Sequence, residues 1–344
     1  MATDKATDKP TKKQIIEEVF QLLENKGEWK GRYWGYIDEV NKVLKNPNAN
    51  YRQFRTPEQI SRYSSVSRRD GKTYDLRYEG RSIAVVRCTQ SGVFLTPNEG
   101  NLKSFRYPAG SYDHENKEWV WKSRYSSKLR SHFKHLKDSG NNSQPEHRLE
   151  NKLLRLFTSR DKPFKISPVQ LYDCFFQMPT PLKASDHKQL PTYAKQSGGG
   201  IDILARVTPI KRLDNEYSRL CVMEVKDQNV QRESQADAMG QAVAYAVFIA
   251  KLLRSKSGQD WYDFLMKRKE RKKNGNVPEN LHIDVVTVMP KGNTDEFCNE
   301  DLDVSELNTT LHCHTLYFDD EKFKMGKGEI VFTEESTYLN KVKK

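Results

Sequence analysis

The sequence predicts an α/β protein: a domain with a central mixed β-sheet flanked by helices over residues 146–344, preceded by a separate basic α+β domain over residues 15–140. Three observations predict it. In the second half, apolar runs of strand length alternate with longer runs at helical spacing. A polar break, DSGNNSQP, interrupts the chain at 138–145. Positive charge is concentrated before that break: residues 1–145 hold 27 Lys and Arg against 17 Asp and Glu, and the remaining 199 hold 31 against 29.

The elements follow in order. Residues 1–14 are charged, repeat ATDK, lack the apolar core of a secretory signal and read as a flexible tail. KKQIIEEVFQLLEN, which begins at Lys12, places Ile15, Ile16, Val19, Phe20, Leu22 and Leu23 at helical spacing. A short helix is expected from Tyr36 to Leu44, stopped by KNPNAN. TYDLRYEGRSIAVVRCTQSGVFLTPNEG supplies two or three strands with Gly80 and Gly92 at turns, and EWVWKSRYSSKLRSHFKHLK runs from a strand into a basic helix. After the break, EHRLENKLLRLF, 146–157, is helical, with Leu149, Leu153, Leu154 and Phe157 on one face. ISPVQLYDCFF, 166–176, can supply a strand. Strands are expected at 201–207 and 219–226, joined through the polar TPIKRLDNEYSR segment. A helix over 233–253 and strands at 282–289 and 311–318 complete the pattern.

Composition bounds the function. A chain of 344 residues, 36% hydrophobic and 30% charged, can bury a large core and is too apolar for wholesale disorder. No stretch approaches the roughly 18 uninterrupted apolar residues of a membrane span. Five cysteines, scattered and never in a CxxC, argue against a disulfide framework and for a reducing cytoplasm. His312, Cys313 and His314 lack a second pair at zinc spacing and alternate faces in a strand, which argues against a metal site there. A net charge of +12, gathered in one half, suggests a polyanionic partner, nucleic acid first.

Two expected core strands carry acids. GGGIDILARV, 198–207, contains Asp202; CVMEVKDQ, 221–228, contains Glu224 and Lys226. Burying a carboxylate is costly unless something pairs with it. Residues two apart on a strand share a face, so Glu224 and Lys226 point the same way and Val225 the other. An antiparallel pairing of the two strands would gather Asp202, Glu224 and Lys226 at one end of the sheet. Two carboxylates held together repel unless a proton or cation lies between them. Mg²⁺ takes oxygen ligands from one or two carboxylates. Such a set suits phosphodiester hydrolysis, with the lysine positioning or activating the attacking water.

Asp followed by a strand bearing Glu-x-Lys resembles the signature of the PD-(D/E)XK, or restriction-endonuclease-like, superfamily. The resemblance covers residues 146 to about 318. It implies a restriction-endonuclease-like core of helix, three strands, helix and strand, and a Mg²⁺-dependent endonuclease with Mn²⁺ as a substitute ion. It assigns Asp202 and Glu224 to the metal, Lys226 to the water, and Glu150 on the preceding helix to a ligand or second metal, with Glu146 as its substitute. Gln241 matches a glutamine that many members carry on the helix after the Glu-x-Lys strand. Ile201 stands where the family often has proline, and 21 residues separate Asp202 from Glu224. The resemblance further implies DNA as substrate, a role in restriction or antiviral defence, and assembly as a homodimer or beside a partner ATPase or sensor protein. The alternative, from another class, is a catalytically inactive nucleic-acid-binding or partner-binding module on the same scaffold.

The remaining candidates have plainer readings. Tyr245, one turn after Gln241, reads as core. The run Lys267 to Lys273 reads as a solvated loop. The aromatic and basic mix of residues 28–69 suits nucleic-acid stacking or a partner interface, yet ordinary packing explains most of its rings.

Overall fold

The computed structural model describes residues 9–45, 54–65, 73–113, 115–136, 145–159, 164–186, 189–196, 198–208, 218–227, 234–266, 276–292, 299–321 and 330–343. The expected tip of the 208–219 connection, the 138–144 break, the Lys267 to Lys273 run, Tyr51 and Cys298 lie outside the described residues.

Thr11 caps the first helix, α1 (Lys12–Asn25). Its side chain accepts from the Gln14 amide, and the Gln14 side chain accepts from the Thr11 amide. The helix therefore takes in the last three residues of the expected tail, and Lys9 reaches Asp237 at 2.8 Å. α2 (Glu28–Lys45) begins earlier than the expected Tyr36, because Trp29, Tyr33, Ile37, Val40 and Val43 make one continuous buried stripe.

Strands β1 (Ile60–Ser65), β2 (Thr73–Tyr78), β3 (Arg81–Thr89), β4 (Gly92–Pro97) and β5 (Trp119–Val120) form an antiparallel meander. α3 (Glu99–Ser104) and α4 (Arg124–His135) follow β4 and β5. α5 (Pro145–Thr158) leads into β6 (Ile166–Pro168), β7 (Gln170–Leu171), β8 (Cys174–Pro179), β9 (Leu182–Lys183), β10 (Thr192–Tyr193), β11 (Gly200–Ile201), β12 (Ile203–Val207) and β13 (Arg219–Val225). Then come α6 (Gln235–Leu253), α7 (Gly258–Leu265), β14 (Leu281–Pro290), β15 (Asp301–Val304), β16 (Thr309–Phe318) and α8 (Leu339–Val342).

A split at 140–146 is not a structural divide. β8 pairs in parallel with β1, through Tyr63 and Phe175, and β11 extends β8. The first sheet therefore runs β11-β8-β1-β2-β3-β4-β5, drawing strands from both halves. The apolar stripe of α2 is buried on helices of the second half: Trp29 and Tyr33 pack edge-on against Phe248, and Tyr33 against Trp261. Among the described residues the second half supplies the strand beside β1 and the aromatic partners of this stripe. The expected strand over 166–176 is likewise broken into β6, β7 and β8, as the chain leaves one sheet for the other.

The second sheet is mixed and ordered β15-β16-β14-β13-β12-β6. β6, β12 and β13 form an antiparallel meander; β13, β14 and β16 are parallel. α6 makes the crossover that a parallel β13–β14 pair requires. α5 covers one face, where Leu149, Leu153 and Phe157 meet Met223, Val225 and Val286. α6 covers the other, against Val222, Ile283 and Val285. α6 is long and apolar enough to cross a membrane by composition alone, yet 83% of that window is buried in the protein. It is apolar all round because it lies between the sheet and α1. Cys88, Cys174, Cys221 and Cys313 are buried free thiols.

Candidate active site

Asp202 stands at the joint between the two sheets. Ile201 pairs with Met178 in the first, and Ile203 pairs with Met223 in the second. Continuing the β12–β13 register by one residue sets Asp202 opposite Glu224. The Val225 amide donates to Asp202 Oδ2 at 2.9 Å, which holds the carboxylate at the end of β13. Glu224 is buried, 1% exposed, and its Oε1 accepts from Lys226 Nζ at 2.8 Å. The Lys226 amide donates to the Val288 carbonyl, so the lysine remains anchored to the sheet.

The glycines before Asp202 have a steric purpose. A Cβ on Gly198 would lie 2.2 Å from the Leu182 carbonyl oxygen, and one on Gly199 would lie 1.9 Å from Tyr245 Oη. Only a bare backbone lets the phenol approach here. Tyr245 comes from α6, as does Gln241 one turn earlier, and Gln241 Nε2 donates to Tyr245 Oη at 3.4 Å. Burial, and then the charges of Glu224 and Asp202, push the Tyr245 phenol well above its ordinary range. Tyr245 thus borders the acids, which its apolar helix context did not reveal; its position four residues after Gln241 was the available signal. Gln241 Oε1 is buried with no hydrogen-bond partner among the described residues.

α5 brings Glu150 to the other side of the sheet end. Glu150 is buried, and its Oε2 lies 3.5 Å from His147 Nδ1, a contact that raises the histidine. Asp202 is half-buried; burial first, then Glu224 and Glu150, push its carboxyl well above the ordinary aspartate range. Both α5 acids, Glu150 and then Glu146, add to the rise of the Asp202 carboxyl. The first sheet contributes neighbours that no local pattern could show. Asn151 Nδ2 donates to Tyr63 Oη at 3.2 Å, and the Arg77 guanidinium stacks on the Tyr63 ring at 4.2 Å. Arg77 also donates to Asp75 and Gln177.

Asp202, Glu224, Lys226, Gln241 and Glu150 therefore converge on one end of the second sheet. The expected three-acid ligand set does not stand ready-made: among the described residues no three of His, Cys, Asp or Glu are arranged to hold a metal together. The physical reason is visible, since Glu150 turns to His147 and Glu224 to Lys226. The two opposed carboxylates, Asp202 and Glu224, fit a hard divalent cation by donor chemistry. Burial first, and then repulsion by Glu224, raises Asp202, and a cation between the two carboxylates relieves that repulsion.

Elsewhere, His312 bonds Asp301 at 2.7 Å and His282 at 3.0 Å, while His314 bonds Asn299 and Lys341. Cys313 is buried in the core formed on the α6 side of the sheet. The alternation expected for this strand holds. Of the 28–69 rings, Trp29, Tyr33, Phe54 and Tyr63 are core, and Trp34 is 60% exposed.

Comparison with protein-family models, curated proteins and solved structures returned no match.

Proposed function

We propose that this chain is a metal-dependent nuclease of the PD-(D/E)XK kind, hydrolysing phosphodiester bonds of DNA. The observation that carries the reading is Asp202 opposed to Glu224 across β12 and β13, with Lys226 bonded to Glu224 at the same sheet end. The chain order α5, β6, β12, β13, α6, β14 supports it, being helix, three strands, helix and strand.

Asp202 and Glu224 would hold Mg²⁺, or Mn²⁺ in its place. When bound, the ion supplies positive charge to the phosphate and lowers the pKa of an attacking water. Asp202 must give up its proton to serve as a ligand, which its raised carboxyl resists at low pH. Lys226 presents an ammonium on the same face as Glu224, placed to orient a water or steady a phosphate oxygen. Glu150 adds negative charge from α5, and Gln241 offers its unpartnered carbonyl oxygen as an acceptor. The family resemblance alone carries the defence role, a homodimer or a partner ATPase or sensor, and a cytoplasmic location.

The Lys226–Glu224 ion pair itself favours a second reading, an inactive nucleic-acid-binding module in which the lysine takes the place of the cation. Plasmid DNA and a parallel RNA substrate, incubated with Mg²⁺ and the parent, Glu224→Ala or Lys226→Ala chains, separate the two. DNA cleavage that requires metal and is lost in both variants supports the nuclease. Binding without cutting supports the module, and cutting confined to RNA moves the substrate class.

A further inference from the structure

Helix α4 carries cations and no acid. Lys122 precedes it; Arg124, Lys128, Arg130 and Lys134 lie on it; no Asp or Glu occurs between residues 119 and 137. Leu129 and Phe133 bury its inner face, where Phe133 packs against Tyr78 and Phe105. Arg130 is committed to Trp121, stacking on its ring at 4.1 Å and donating to its carbonyl at 2.9 Å. Lys122, Arg124, Lys128 and Lys134 are exposed; Arg124 donates to Tyr125 Oη at 2.7 Å and feels the charge of Asp113, and among the described residues none of the four has a carboxylate at salt-bridge distance. By contrast Lys12, Lys42 and Lys251, on α1, α2 and α6, each meet a carboxylate. Arg124, Lys128, Ser131 and His135 follow one another on a single stripe, about 16 Å long at 1.5 Å per residue.

A run of contacts links the end of the stripe to the candidate site. The Leu136 carbonyl, just past α4, accepts from Tyr78 Oη at 3.1 Å. The next two residues, Glu79 and Gly80, form the β2–β3 turn with φ of 48° and 80°. That turn abuts α5: a Cβ on Gly80 would lie 2.2 Å from the His147 carbonyl oxygen, and His147 is the neighbour of Glu150.

We propose that the exposed cations of α4, Arg124 and Lys128 on this stripe with Lys134 beside it and Lys122 just before the helix, contact the phosphate backbone of duplex DNA flanking the bond that is cut; the inference rests on the nuclease reading. Exposed Lys and Arg that no carboxylate holds in a salt bridge complement a polyanion, and contacts of this type position a duplex without reading its sequence. The test is duplex DNA binding by anisotropy across a KCl series, using the catalytically disabled Glu224→Ala chain. A second chain adds Lys122→Gln, Arg124→Gln, Lys128→Gln and Lys134→Gln. A charge-matched control adds Lys13→Gln, Lys26→Gln, Lys45→Gln and Lys256→Gln, all at exposed positions. Each lost phosphate contact lowers the log–log salt slope by about 0.9, so four lower it by about 3.6. The α4 chain is expected to bind at least about 100-fold more weakly at low salt, with the control near the parent. A folded α4 chain that binds like the parent, or a control that weakens equally, overturns the α4 surface while leaving the nuclease reading standing. A parent chain that neither binds nor cuts duplex DNA overturns both.

Discussion

Replacing Lys226 by methionine removes one ammonium and keeps most of the stem. Its Nζ lies 2.8 Å from Glu224 Oε1, with the two side chains 10% and 2% exposed. Asp202 lies opposite, already raised by Glu224 and Glu150. Taking one partner from a buried ion pair costs about 3–5 kcal/mol, because the other charge is left uncompensated. A chain of 344 residues has an unfolding entropy of about 0.7 kcal/mol/K, so Lys226→Met should lower Tm by roughly 4–7 °C without divalent ions. The Glu224→Gln/Lys226→Met double variant should lose less than the single, since neither charge remains. Saturating Mg²⁺, at about 100 times Kd, should add about 2.7 kcal/mol, or roughly 4 °C, to chains that keep both Asp202 and Glu224. It should add nothing to Asp202→Asn/Glu224→Gln. Thermal melts in EDTA and in Mg²⁺ read all of these. A Lys226→Met chain melting within about 1 °C of the parent, or a double variant melting below the single, would refute the charge balance derived for this site.

Three further outcomes follow from the same geometry. The folded-state carboxyl of Asp202 is raised, so its ionisation opposes folding and stability falls as pH rises above the ordinary aspartate range; Asp202→Asn should melt higher than the parent at pH 7, converge with it near pH 4, and be inactive, and an Asn chain less stable at pH 7 would contradict this. Burial, with Lys341 adjacent, pushes His314 down to about 3. The unfolded chain therefore takes up the extra proton first, and stability is lost as pH falls below about 6.5, by up to about 1.4 kcal/mol per pH unit; urea midpoints of His314→Asn should decline less between pH 6.5 and 4 than the parent's, and parallel declines would exclude the effect. Gly199→Ala sets a methyl against Tyr245 Oη and should cost about 1–3 kcal/mol by calorimetry. Adding Tyr245→Phe should recover part of that loss, and no recovery would mean that the clash is relieved elsewhere.

Much of the local structure was legible in the residues. The helix expected for KKQIIEEVFQLLEN forms over Lys12–Asn25, and the strand expected over 282–289 forms over Leu281–Pro290. Both patterns are local: a 3.6-residue or two-residue period is written in neighbouring side chains. The same locality put Glu224 and Lys226 on one face, and it allowed the antiparallel pairing that sets Asp202 opposite Glu224. The separate first domain failed because apolar stripes and strand edges announce that they need partners without naming them. β1 found β8, and α2 found α6 and α7.

The sequence by itself determined most of the long helices and strands, their faces and the acid–lysine set, since each depends on residues a few positions apart. Only the tertiary structure decided that Asp202 lies where two sheets meet, that Glu224 bonds Lys226, and that Tyr63 joins Asn151 beside Glu150 across 88 positions of chain. Side-chain partners so far apart are chosen by packing of the whole core, and no pattern of adjacent residues encodes that choice.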